Sequence, residues 1–288
     1  MTTPAEPMSR RLLFVRLLGA IGVAGVAYFV ATFVVLHFVQ WELNPAEHFI
    51  SEYALGRFGW LVTLAFFVVG VGTLGLARGL HRSFEPGELV ATPVALITIS
   101  GISFIVLGVF KIDPLFEDGT TAYTPAGIAH LLAGLALFLS LIIGAFILRG
   151  VFAGDARWWG LEEATLRFAL GMFVAPVVMV AVPQQTVGLA QRAVVAIMVA
   201  WLAVLGWWMH RLDPVEGAPH KSKSYIRALS KLDDGSRARP TPSEHGEKIA
   251  PIDSRSDDRA EKRSAKQPWL SIGQQFIEGI PALKITRS

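Results

Sequence analysis

Cysteine is absent from this sequence. Its absence excludes a disulfide framework, a thiolate zinc site, an iron-sulfur cluster and a thiol nucleophile, and leaves the redox compartment open. Charge is scarce too: Asp, Glu, Lys and Arg make up 17% of the 288 residues, against 52% hydrophobic side chains and a mean hydropathy of +0.48. Soluble domains carry about 25% charged residues, so the composition is that of a membrane protein. Also missing are a repeat of about 20 to 50 residues, an inverted duplication of the transporter kind and a charge near the middle of an apolar run, which together disfavour alternating access. No pore-lining signature argues for a channel.

What the chain does have is long apolar runs. A helix needs about 20 mostly apolar residues to cross a bilayer, because its backbone polar groups must be satisfied internally there. Six windows qualify: Leu17 to Phe38, Trp60 to Ala77, Leu89 to Phe110, Ala126 to Leu148, Leu166 to Val182 and Ala193 to Met209. The first follows Arg10 and Arg11 but is longer than a signal-peptide core and lacks a cleavage site, so it reads as a retained span. The fifth is the weakest, being short and interrupted by Pro176. The expected fold is therefore all-α, a polytopic bundle of six transmembrane helices.

Lys and Arg favour the cytoplasmic side of a membrane. Placing the N-terminus inside collects Arg10, Arg11, Arg16, Arg78, Arg82, Arg149, Arg157 and Arg167 there and leaves Arg57, Lys111 and Arg192 outside, with Glu42, Glu47, Glu52, Asp113, Glu117 and Asp118. Both termini are then cytoplasmic, in the cell membrane. The expected organisation is a cytoplasmic N-terminus at 1–16, a six-helix domain at 17–209, a disordered basic tail at 210–267 and a candidate amphipathic segment at 268–288. The tail has too little apolar mass for a core, and its mixed charge without aromatic interleaving makes nucleic acid an unexpected partner. Membrane lipids and a cytoplasmic partner of the tail are the expected partners; the oligomeric state is left open. Gly19, Gly22, Gly25, Gly75 and Gly79 allow close helix approach, either within the monomer or against another chain. Trp41, Trp60, Trp158, Trp159, Trp207 and Trp208 fall near the span ends as interface anchors.

Chemistry concentrates at the outer ends. EHFISEYALGRFGW, between the first two spans, holds Ser51, Glu52 and Tyr53. Membrane depth brings Lys111, Asp113, His130, Gln191 and Arg192 to the same surface. Thr124 and Pro125 form a good helix start, which puts His130 just below the water boundary with Asp113 as nearest partner. The pair either clamps two helix ends, contacts a substrate or headgroup, or ligates a metal, for which one His with carboxylates is a poor set. Arg192, near a helix N-terminus, suits a phosphate or carboxylate, or pairs with Glu52. Ser51 with His130 as base is the hydrolytic alternative, without a Gly-x-Ser-x-Gly context. No cofactor and no metal is implied.

ISEYALGRFGWL, GVFKIDP, TPAGIAH and GLAQR, at their positions around the spans, resemble the prokaryotic integral membrane family catalogued as domain of unknown function 998, over about residues 15 to 210. The resemblance implies recurring roles for Ser51, Tyr53, Asp113, His130 and Arg192, with Arg57 standing where family members usually have Pro. It also implies a distant likeness to the Frag and DRAM membrane proteins, some of which are linked to lipid remodelling. Residues and resemblance together lead to one expectation: a polar cluster of Ser51, Glu52, Tyr53, Asp113, His130 and Arg192 that binds a lipid headgroup or a small anionic or zwitterionic ligand. The alternatives are a membrane hydrolase or transferase acting on lipids, and a structural or regulatory scaffold.

Overall fold

A computed structural model describes residues 10–84, 90–114 and 123–212. The tail beyond Leu212, the amphipathic segment within it, and Glu117 and Asp118 lie outside the described residues. Six helices follow in order: α1 (Arg10–Val39), α2 (Gly59–Ser83), α3 (Ala91–Val109), α4 (Pro125–Ala153), α5 (Leu161–Ala181) and α6 (Val187–Arg211). All six are long and apolar enough to cross a membrane. Among the described residues there is no strand. Helix α1 begins at Arg10, so Arg10, Arg11 and Arg16 ride on its first turns instead of preceding it. The start of α4 is the expected one: Thr124 accepts from the Gly127 amide at 3.1 Å, and Pro125 takes the first helical position, where no N–H is needed.

Each helix packs on the next, and α6 returns to α1, closing a ring. Lipid tails are as apolar as leucine, so burial alone does not drive span onto span; close approach of backbones does. The glycines of α1 supply it. A Cβ at Gly19 would lie 2.5 Å from the Gly206 carbonyl of α6, and one at Gly25 would lie 3.0 Å from the Val68 carbonyl of α2. Gly22 is filled by Leu76, and Gly79 by the Met209 side chain. These small residues meet neighbours within the chain.

The end of the bundle where α1 starts and α6 stops is held by arginines on helix C-terminal carbonyls, which otherwise lack intrahelical donors. Arg11 donates to the carbonyls of Arg82 (2.6 Å) and Phe84 (2.9 Å), and Arg16 to Leu212 (2.8 Å). Arg157 pairs with Asp155 and reaches the Ser83 carbonyl at 2.7 Å. Trp158 departs from the expected belt. It is fully buried, stacked 4.7 Å from Phe152 and 5.5 Å from Phe84, because the turn 156–158 folds it under the α2 and α4 ends. Trp208 is half-buried and donates to the Arg157 carbonyl at 3.0 Å, whereas Trp41, Trp60, Trp159 and Trp207 are exposed as anchors should be.

Helix α5 is the loosest member. Its buried residues are Leu161, Thr165, Ala169 and Met172, and none lies beyond Met172. Beyond Met172, Phe173, Val174, Val177, Val178 and Val180 are exposed. Pro176 cannot donate to the Met172 carbonyl, so the uncovered stretch also begins where the helix loses a hydrogen bond. The seam between α4 and α5 is therefore sealed at the arginine-rich end and open at the other.

Candidate functional site

That other end carries all six residues singled out from the sequence, on four different segments. The link between α1 and α2 supplies three of them through a 3-10 turn, Ile50–Leu55. Gln40, fully buried, clamps this turn: its Nε2 donates to the Tyr53 carbonyl at 3.2 Å and its Oε1 accepts from the Phe58 amide at 3.2 Å. A Cβ at Gly56 would collide with that amide. On the other side, Gln191 of α6 accepts from the Ile50 amide at 2.7 Å. The turn is thus fixed to both α1 and α6, and consecutive residues on it face two separate cavities.

The first cavity, ≈ 580 Å³, is a polar mouth lined by Glu42, Glu47, His48, Glu52, Gln184 and Gln185. Glu52 is buried beneath it, bonded to His48 Nδ1 at 2.7 Å and to the Phe49 amide at 3.2 Å. Among the described residues no group of three or more His, Asp or Glu is placed to hold a metal ion. The second cavity, ≈ 340 Å³, is apolar and contains Ser51 and His130. Phe29, Phe66 and Phe104 form its floor, with ring centroids 5.8 to 6.4 Å apart. Leu131 and Leu135 of α4 are half exposed, and with Met179 of α5 they form its rim at the open α4–α5 seam. The cavity therefore opens sideways, toward the zone that acyl chains occupy around a span.

Gly134 lies in that cavity wall, and a Cβ there would meet no atom within 4 Å. Glycine inside a helix costs about 1 kcal/mol relative to alanine. Gly19 and Gly25 offset that cost by close packing; Gly134 borders only open space. This residue and Gln40 were missed from sequence. Gly134 could have been noticed as a mid-span glycine without a small neighbour at the i±4 spacing of a packing motif.

Two pairings expected from sequence do not form. His130 Nδ1 bonds to the Phe110 carbonyl at 2.7 Å, not to Asp113. A carbonyl only accepts, so Nδ1 carries the proton and Nε2 is the remaining polar atom of the ring. Asp113 instead caps α4: its carboxylate accepts from the Thr124 amide at 2.8 Å and the Thr124 hydroxyl at 2.6 Å, directly over Gly127. A carboxylate at a helix N-terminus satisfies free amides and complements the dipole, which outcompetes a neutral imidazole further along.

Arg192 does not pair with Glu52. Its Nε donates to His37 Nε2 at 3.0 Å and its Nη1 to the carbonyls of His48 (2.7 Å) and Gly188 (3.0 Å). His48 in turn holds Glu52, so the two charges are linked through one histidine. The guanidinium carbon sits 5.5 Å from the Tyr53 ring centroid, and Nη2 is buried without a hydrogen-bond partner. Tyr53 is itself buried, its hydroxyl donating to the Leu43 carbonyl at 2.9 Å. That burial pushes the phenol above its ordinary titration range, with Arg192 opposing and Glu42 and Glu52 adding to the rise. The N-terminus of α6 is occupied as well: the Gly188 and Leu189 amides both donate to the Ala46 carbonyl, at 2.8 and 3.3 Å. Neither Arg192 nor Asp113 lines either cavity.

Six apolar helices in a ring, with a side-opening apolar cavity under a clamped polar turn, define a multi-pass membrane protein. Residues 23–208, nearly all of the ring, match the family described as Protein of unknown function (DUF998). The chain belongs to that family. No curated protein and no solved structure matches it.

Proposed function

We propose that this protein binds a membrane lipid in the ≈ 340 Å³ cavity, with an acyl chain entering through the α4–α5 seam and the polar end lodged at Ser51, His130 and Gln191. The observation that carries this reading is Gly134, a helix-interior glycine facing open space within an apolar, side-opening cavity. Ligand pockets of about 300 Å³ and above hold small molecules or parts of larger ones through apolar walls and a few polar groups. The arginine-rich end faces the cytoplasm in this reading, following the bias of Lys and Arg, and the membrane is the cell membrane. Arg192 supports the wall and is not the headgroup ligand.

Gly134→Leu tests the proposal. The new side chain has room and a better helix propensity, so the protein should fold and melt at or above the wild-type temperature while losing co-purified lipid in native mass spectrometry. Unchanged lipid retention by this variant overturns the reading. A hydrolase or transferase reading draws on a separate observation, that Ser51 and His130 line one cavity. Lipid turnover by the purified protein that vanishes in Ser51→Ala would favour it over simple binding.

A further inference from the structure

We infer that the ligand of this cavity is an uncharged acylglycerol, an amphiphile with ester carbonyls and a free hydroxyl, and not an anionic lipid. The inference rests on the lipid-binding reading above and concerns the chemistry of the headgroup. Three cations, Arg57, Lys111 and Arg192, and the N-termini of α2, α4 and α6 lie at this end of the bundle and would ordinarily attract an anion. None of these cations lines the cavity, and the one unpartnered nitrogen of Arg192, Nη2, is buried. Arg192 is committed to His37, His48 and Gly188; the first amides of α6 donate to Ala46; and the start of α4 is covered by the Asp113 carboxylate, which would repel a second anion.

What remains inside the cavity is a set of uncharged side chains. Gln191 turns its oxygen to the Ile50 amide, which leaves its NH₂ donors to offer. Ser51 adds a hydroxyl, and His130, its Nδ1 proton held by Phe110, offers Nε2. Donors from Gln191 and Ser51 match ester carbonyls, and the lone pair of His130 matches a ligand hydroxyl. A phosphate brought among them would lose its hydration without gaining a cation, a cost that excludes charged groups from apolar sites unless they are paired. A neutral ester loses much less.

The test uses the full chain in detergent, incubated with mixed micelles holding dioleoylglycerol, phosphatidylglycerol and phosphatidylcholine at equal mole fraction, with bound lipid read by native mass spectrometry. Dioleoylglycerol should be retained on the order of tenfold over phosphatidylglycerol, equivalent to about 1.4 kcal/mol. Gln191→Glu, which keeps the acceptor for Ile50 but removes the donors, should abolish that preference, and Gly134→Leu should remove retention altogether. Phosphatidylglycerol or phosphatidylcholine retained as well as or better than dioleoylglycerol, and lost in Gly134→Leu, would overturn the inference and leave the binding reading standing. Retention of every lipid regardless of Gly134→Leu would overturn both.

Discussion

Arg192 and His37, 155 residues apart, share a 3.0 Å hydrogen bond in which the guanidinium Nε–H donates to the imidazole Nε2. His37 Nδ1 is bonded to the Phe33 carbonyl of its own helix, so the ring is neutral, with its proton on Nδ1 and its acceptor turned toward α6. The pair joins the last turns of α1 to the first turns of α6. Arg192→Ala should therefore act on stability: it leaves the His48 carbonyl and His37 without a donor and should cost about 3 kcal/mol, in line with removal of one partner from a buried charged network. Thermal unfolding in detergent reads this. A variant that melts like the wild type but loses anionic lipid would mean that Arg192 is a ligand contact after all.

Tyr53 gives a pH prediction with a defined sign. Its folded-state titration lies above the ordinary value of 10.0, chiefly through burial. Deprotonation is thus easier in the unfolded chain, so the contribution is fully present below the ordinary value and is lost as pH rises through the folded one. A spectrophotometric titration should show a late-ionising component, and its amplitude should fall by one tyrosine in Tyr53→Phe. A single transition at the ordinary value in both proteins would refute the burial argument.

The cap on α4 predicts non-additivity. Asp113→Ala and Thr124→Ala should each destabilise by about 1 kcal/mol, the usual worth of an N-cap. The double variant should cost less than their sum, because the two residues share a hydrogen bond at 2.6 Å. Asp113→Ala should leave neutral-lipid retention intact, since Asp113 does not line the cavity.

The glycines separate by position. Gly75→Ala places a Cβ at 3.7 Å from Leu18, an ordinary contact, and should be neutral or slightly stabilising. Gly19→Ala drives its Cβ to 2.5 Å from the Gly206 carbonyl, which is backbone and cannot yield without parting α1 from α6. Melting temperatures should move in opposite directions, or one should stay fixed while the other falls by several degrees, as about 1 kcal/mol produces in a domain of this size.

Much of the architecture was legible in the sequence, because a bilayer demands so much of a span that hydropathy alone reveals it. Each window overlaps one observed helix, including the one broken by Pro176, and the Thr124–Pro125 start of α4 could be read directly. The site was legible only as a level in the membrane. Depth placed Ser51, Glu52, Tyr53, Asp113, His130 and Arg192 together, but depth does not set partners. Asp113 chose the Thr124 amide and hydroxyl over His130, and Arg192 chose two carbonyls and His37 over Glu52, since hydrogen-bond geometry depends on helix rotation that an almost uniformly apolar sequence does not encode. The cavity was hidden for a related reason. Gly134 is one small residue in a run of apolar ones, and the open space beside it depends on how α4 packs against its neighbours.

The α1–α6 seam also sets the order of assembly. Arg16 of α1 is clasped to the Leu212 carbonyl 196 residues later, and the Gly19 surface is complementary to Gly206. During synthesis the first span meets α2 through Gly22 and Gly25, but its Gly19 surface must wait, covered by lipid, until the sixth has left the ribosome. Closure of this seam is consequently gated by the sixth span, and a nascent chain stalled inside α6 would present quality-control machinery with an uncovered Gly19 surface on a partly assembled bundle.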